Sequence, residues 1–384
     1  MTDNKWITMW GNATSIGERR AENYGKNLTL RYPIYTPFDA SALRITFSNY
    51  CGTEPITITR ANVAMAATDK EIISESAVAI TFAGKESVTI EPGTEIVSDE
   101  LPFAVKRGKD ISVSFYLKDF TELRSTVLIT GPLSGGFFAV GDQAYEQELT
   151  LKDSKSTNWY YFLNKVEVLT DKVNRAVVCF GDSITSQDWP DYLSLRLQEE
   201  KKEHTAIVRR AVSGTRILRE YDCITYASYG LKGANRFRRE LETVTGADTV
   251  IIQHGINDII HPVGVENNPF RPWSDLPTAD ELIEGLKEYV TIAHELGLKV
   301  YIGTLLPIRG WRTDAPFREE IRVAMNEWIR TNTEAEGCID FDKALRNESN
   351  PAAFRAGFDS GDHLHPGKAA YAEMAKTVPA AILQ

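Results

Sequence analysis

Ala176-Val177-Val178-Cys179-Phe180-Gly181-Asp182-Ser183-Ile184-Thr185 is an apolar run that stops abruptly in polar turn formers. A short apolar run bounded by turn residues predicts a buried strand of a parallel sheet, and in such sheets ligands bind just beyond the carboxyl ends of the strands. Ser183 stands at that edge, where a nucleophile belongs. Alone, Gly-Asp-Ser is a weak signal, because serine commonly caps a helix and glycine commonly makes the turn before it.

A serine hydroxyl attacks only when a base takes its proton, a third group holds that base in the right tautomer, and donors await the oxyanion. Near the C-terminus stands Asp362-His363-Leu364-His365-Pro366. An aspartate and a histidine three positions apart fit one turn, with His365 to take the Ser183 proton and Asp362 to accept from its far ring nitrogen. Pro366 biases His365 towards extended backbone and opens the helix that follows. His363 is an ordinary neighbour. Between these ends, Thr249-Val250-Ile251-Ile252-Gln253-His254-Gly255-Ile256-Asn257-Asp258 is a second apolar run ending in polar residues. It brings the amide of Asn257 to the same sheet edge, as a tetrahedral oxyanion requires. Ala211-Val212-Ser213-Gly214-Thr215 follows a strand expected over residues 205–209, which makes the Gly214 N–H a second donor. Singly, each piece has an ordinary structural explanation; in this order they form a set.

The set resembles the SGNH hydrolases, also called the GDSL esterase/lipase family, through Gly-Asp-Ser, Gly-x-Asn-Asp and Asp-x-x-His, over roughly residues 173 to 384. The resemblance implies a flavodoxin-like α/β/α sandwich. It implies Ser183 as nucleophile, His365 as base and Asp362 as its orienter, with the Ser183 N–H, the Gly214 N–H and Asn257 as oxyanion donors. It implies no cofactor and no metal.

The chain has 384 residues, more than one ordinary domain, which suggests two domains each able to bury a core. Its 42% apolar and 25% charged content is that of a soluble globular protein. A formal charge of −10 and a pI near 5.3 argue against a nucleic-acid partner. The N-terminus shows no basic and apolar export signal, and no segment reaches the ~18 apolar residues of a membrane span. A cytoplasmic protein without a membrane partner is expected; the oligomeric state stays open. Cys51, Cys179, Cys223 and Cys338 are dispersed without Cys-x-x-Cys spacing, so buried free thiols are expected.

Residues 1 to about 170 read as all-β. Leu43, Ile45 and Phe47 alternate with polar residues, as do Val78, Ile80 and Phe82, and Ile111, Val113, Phe115 and Leu117, with turn formers between the runs. Short strands at that spacing suggest a β-sandwich. This part also resembles the jelly-roll-like domain that precedes the hydrolase in some two-domain family members, through residues 43–49 and Ser98-Asp99. The division is placed at 1–172, an accessory β domain, and 173–384, the hydrolase domain. Beyond Ser183, helices are expected over residues 189–201, 232–243, 278–297, 317–331 and 367–381. Thr278 and Glu281 form a capping box at the start of the third, and strands are expected at 299–303 and 338–341.

Residues 260–277 form a long, proline-rich connection holding Arg271 and Trp273, and residues 306–312 hold Trp311. Long loops over a site tend to be functional. Aromatics with arginine suit sugar faces and hydroxyls, which makes Trp273, Trp311 and Arg271 substrate-binding candidates; Trp189 is read as packing. No contiguous apolar lid is present, which favours a small acyl group on a polar alcohol. Family members with an accessory β domain are often carbohydrate esterases. The expectation is therefore a deacetylase of small acetylated oligosaccharides, acetylated xylo-oligosaccharides in particular, acting on imported oligomers. Two other readings stay open: a general esterase of lipid or aryl esters such as a lysophospholipase, and a carbohydrate-binding protein with a vestigial site. His254 and His261 with Asp258 fit no structural zinc spacing and are expected to be ordinary histidines.

Overall fold

The computed structural model describes residues 4–17, 24–150, 154–221, 224–261 and 272–383. The chain forms two units, Met1–Ala176 with Glu203–Val208, and Val177–Lys202 with Arg209–Gln384.

The first unit is all-β. A four-stranded sheet runs Asn4–Gly11, Leu163–Asp171, Ala42–Ser48, Glu95–Val97, and a six-stranded sheet runs Ser154–Thr157, Gly136–Val140, Leu28–Ile34, Ile111–Leu117, Arg60–Met65, Val78–Ile80. Their ladders are antiparallel. Phe47 of one sheet meets Phe115 of the other edge-on at 5.2 Å, which makes the pair a sandwich with an aromatic centre.

Alternation in residues 111–117 predicts one solvated face, yet the whole strand Ile111–Leu117 is buried. The polar face carries the buried Arg31, Asn62 and Ser114, and a covering segment supplies main-chain acceptors. Arg31 donates to the Glu146 carbonyl at 2.7 Å, the Lys70 carbonyl at 2.8 Å and Ser114 Oγ at 2.9 Å, and Asn62 donates to the Ala144 carbonyl at 2.7 Å. Burial lowers the Arg31 guanidinium to about 10. Polar alternation here marks a covered face.

The second unit is α/β. A five-stranded sheet, most of whose residues lie in this unit, runs Thr205–Ala211, Arg175–Gly181, Ala247–Gln253, Lys299–Gly303, Gly337–Ile339, with parallel registers such as Val250 beside Val300 and Ile302 beside Cys338. Ala176 to Phe180 are fully buried, as a strand covered on both faces must be. The helices form two contacting groups, Trp189–Glu199 with Lys368–Thr377, and Gly233–Glu242 with Ala279–Glu295 and Pro316–Thr331, giving an α/β/α order. Arg196 ties the first group by donating to the Ala375 carbonyl at 2.9 Å and the Val378 carbonyl at 2.6 Å. The capping box forms: the Glu281 N–H donates to Thr278 Oγ1 at 3.2 Å, and the Thr278 N–H to Glu281 Oε2 at 2.8 Å. The strand order turns back between Arg175–Gly181 and Ala247–Gln253, which opens a crevice at their carboxyl ends.

The helices expected over 189–201, 278–297 and 367–381 end earlier, as Trp189–Glu199, Ala279–Glu295 and Lys368–Thr377, and two strand ends differ as well. The strand Thr205–Ala211 continues past Arg209, because Arg209 pairs with Asp191 at 2.8 Å and is buried. The last strand stops at Ile339, because Asp340 caps the short helix Phe341–Leu345 by accepting the Lys343 N–H at 3.0 Å. Cys51, Cys179 and Cys338 are free thiols, but only Cys179 is fully buried; Cys223 lies outside the described residues. Among the described residues no helix is long and apolar enough to cross a membrane.

Candidate active site

The strand Arg175–Gly181 ends where only glycine fits. A Cβ on Gly181 would lie 2.3 Å from the Gln253 carbonyl and 2.5 Å from Thr185 Oγ1. Asp182 follows and caps the short helix Ser183–Ser186, its Oδ1 accepting the Ile184 N–H at 3.0 Å. Ser183 thus starts a helical turn at the crevice, 8% exposed. Burial pushes the Asp182 carboxyl up to about 7, against the pull of the Ile184 N–H and the His365 charge.

Ser183 Oγ lies 2.8 Å from His365 Nε2, and His365 Nδ1 lies 2.6 Å from Asp362 Oδ2. An ionised carboxylate only accepts, so Nδ1 carries the proton and Nε2 turns its lone pair to the serine hydroxyl. Asp362 Oδ1 accepts the backbone N–H of His365 at 2.8 Å and of Leu364 at 2.9 Å, and the Ser360 hydroxyl at 3.1 Å. Partial burial works to raise this carboxyl, but those bonds and the His365 ring hold it well below the usual carboxylate range. His363 points elsewhere, paired with Asp359.

Gly214 follows the neighbouring strand Thr205–Ala211 in the left-handed region, φ +78°, with the Tyr229 ring 2.3 Å from where a Cβ would stand. Glycine is required twice over there, by backbone and by space. Ser213 Oγ meets Ser186 Oγ at 2.9 Å, joining this turn to the one that carries Ser183. Asn257 is buried in the short helix Ile256–Ile260 and donates to the Thr215 carbonyl at 3.1 Å, which also accepts from His254 Nε2 at 3.1 Å. Its amide is therefore held one residue from Gly214. Asp258 takes the N–H groups of Ile217 at 2.7 Å and Leu218 at 3.0 Å, and burial pushes its carboxyl up to about 6 against those bonds.

His254 is a core histidine: burial and the Arg236 charge lower it to about 3, and Tyr289 Oη lies 3.3 Å from its Nδ1. His261 meets the Tyr221 hydroxyl and stacks on Tyr229 at 5.4 Å. Among the described residues no group of three His, Cys, Asp or Glu side chains is placed to hold a metal ion.

The structure brings Trp311 to His365, their rings edge-on at 6.4 Å, with the Arg312 guanidinium 5.0 Å from the indole. The buried Trp311 Nε1 has no hydrogen-bond partner among the described residues. Trp273 is 62% exposed and packs on Phe317 at 5.9 Å, where it serves the 3-10 turn Trp273–Asp275. Arg271 lies outside the described residues. Trp189 is fully buried against Phe341 at 5.6 Å. The sequence reading missed Thr215, Ser186 and Tyr229, whose roles are contacts made only in the fold; the small residues around Gly214 were the one available sign.

The sequence model of the GDSL-like Lipase/Acylhydrolase family matches residues 179–373, just over half of the 384-residue chain. No curated protein matches in sequence. Similar solved structures include a GDSL-like lipase from Bacteroides thetaiotaomicron, 19% identical over 54% of this chain and 87% of that one with a TM-score of 0.36. A lipase/acylhydrolase from Enterococcus faecalis is 21% identical over 54% of this chain and 95% of that one, TM-score 0.41. A variant of an acetyl-xylooligosaccharide esterase from Geobacillus is 19% identical over 55% of this chain and 96% of that one, TM-score 0.41.

Proposed function

This chain belongs to the GDSL-like lipase/acylhydrolase family, and from that premise we propose that it is a serine esterase removing short acyl groups, acetyl first, from small carbohydrates such as acetylated xylo-oligosaccharides. The observation that carries the reading is the hydrogen-bond chain from Ser183 through His365 to Asp362. The Trp311 indole beside the base, with the Arg312 guanidinium over that indole, supports a polar, ring-shaped alcohol, and the Tyr229 ring filling the space behind Gly214 supports a small acyl group. The all-β unit is proposed as an accessory domain.

In this reaction Ser183 Oγ forms a bond to the ester carbonyl carbon while its proton passes to His365 Nε2. Asp362 stabilises the imidazolium without taking its proton. The carbonyl oxygen gains the charge, which the N–H groups of Ser183 and Gly214 and the amide of Asn257 receive. Collapse breaks the bond to the sugar oxygen, which takes the proton from His365. Water, activated by the same base, then releases acetate from Ser183.

Acetate release from acetylated xylo-oligosaccharides by the wild type and by Ser183→Ala, beside a p-nitrophenyl ester series, tests the proposal. Release that vanishes in the variant supports it. Ester cleavage that peaks beyond six acyl carbons replaces it with a lipid or aryl esterase, and no hydrolysis of any ester leaves a binding protein.

A further inference from the structure

Arg236, in the helix Gly233–Glu242, is 4% exposed, which places a guanidinium out of water where the sequence shows only an ordinary helix. Burying such a cation is costly unless its protons are matched. Its Nη2 donates to the Gly181 carbonyl at 2.8 Å and its Nη1 to the Arg210 carbonyl at 3.3 Å, while Nε has no hydrogen-bond partner among the described residues. Glu240, one turn later and also buried, supplies opposite charge.

Those two carbonyls close the two strands that feed the site. Gly181 stands two residues before Ser183, and Arg210 four before Gly214. The Gly181 carbonyl also accepts the Val212 N–H at 3.1 Å, so one bracket joins both strand ends where each turns into a catalytic loop. A planar fork offers two donors in fixed geometry, which a lysine ammonium on its flexible stem does not. The guanidinium carbon lies 4.2 Å over the Phe180 ring, itself edge-on to Phe237 at 4.8 Å, so the fork is held from its flat side too. Burial moves Asp182 up and His254 down, and the Arg236 charge lowers both, so its field reaches the Ser183 turn and the start of the Asn257 turn.

We infer that Arg236 is a positioning residue for the oxyanion hole, its fork fixing the spacing between the Ser183 turn and the Gly214 turn so that their N–H donors converge on one point. The inference rests on the serine-esterase reading above. It adds a residue that touches neither substrate nor the Ser183–His365–Asp362 chain.

Arg236→Lys and Arg236→Met are compared with the wild type on p-nitrophenyl acetate, per site titrated with a phosphonate, together with thermal unfolding and inhibition by phenylboronic acid. The boronate forms a tetrahedral adduct on Ser183 whose oxygen occupies the hole. The expected result is a kcat lower by about 10- to 100-fold with KM within about twofold, a boronate affinity lowered by a similar factor, and only partial recovery in the lysine variant. A purely structural role would lower the titratable fraction and the melting temperature while leaving kcat per titrated site and boronate affinity unchanged, and that result overturns the inference. If the methionine variant does not fold, the lysine variant carries the same comparison. A wild type that hydrolyses no ester overturns the esterase reading itself, which an active wild type with indifferent Arg236 variants does not.

Discussion

Asp362 holds His365 twice, taking the ring Nδ1–H on Oδ2 at 2.6 Å and the residue's own backbone N–H on Oδ1 at 2.8 Å. One carboxylate thereby sets both the tautomer of the base and the turn that presents it. Asp362→Asn removes the ionised acceptor at Nδ1, and kcat on p-nitrophenyl acetate is expected to fall by about a hundredfold or more. The sign of the stability effect follows from the depressed titration. A carboxyl lowered in the fold contributes stability above its ordinary value of 3.8 and loses it as pH falls through the folded value. Melting temperature should therefore drop on acidification less steeply in Asp362→Asn than in the wild type; equal slopes count against this hold.

Asp182 and Asp258 act in the opposite direction. Their carboxyls are raised by burial to about 7 and about 6, so the fold favours the protonated forms. That contribution is complete below the ordinary value of 3.8 and is lost as pH rises through 6 and 7. Asp182→Asn keeps an acceptor for the Ile184 N–H and removes the titration. Its melting temperature relative to the wild type should rise between pH 4 and pH 8, and a constant difference would show that Asp182 does not titrate there.

Asn257 is fixed by the Thr215 carbonyl at 3.1 Å, beside Gly214. Asn257→Ala is expected to lower kcat by about 10²- to 10³-fold with little change in KM, the pattern of a group used only in the transition state. Steady-state kinetics decide it: a change confined to KM makes Asn257 a substrate contact.

Trp311 meets His365 edge-on at 6.4 Å, on the side of the base. Trp311→Ala should raise KM for acetylated xylo-oligosaccharides by roughly tenfold, the worth of one aromatic contact of about 1.4 kcal/mol, and leave p-nitrophenyl acetate nearly unchanged. Equal losses on both substrates would assign the indole to packing.

The α/β unit was legible because parallel strands bury both faces and so read as apolar runs, as at residues 176–180 and 249–252. Ser183 and His365 were legible because each motif is local, although 182 residues separate them. What sequence alone withheld were contacts made across the fold. Arg236 reads as one more charge on an amphipathic helix until the Gly181 and Arg210 carbonyls arrive beside it. Ser114, one of the polar residues alternating along 111–117, is buried because Arg31 donates to it, and Arg31 and Asn62 in turn meet the carbonyls of residues 146 and 144. Phe341 reads as strand because it is apolar, whereas Asp340 before it starts a helix. Trp273 has the composition of a sugar platform and the placement of a loop anchor on Phe317.

The helix Lys368–Thr377 begins three residues after His365 and is tied to the helix Trp189–Glu199 by Arg196, whose guanidinium covers the carbonyls of Ala375 and Val378 at 2.9 and 2.6 Å. The base thus stands just before a helix that Arg196 pins to the helix Trp189–Glu199. Proteins open in local units of differing stability. Lifting this one segment parts base from nucleophile while every strand stays paired, so heat inactivation should precede the loss of secondary structure, with Arg196 setting the gap between the two temperatures.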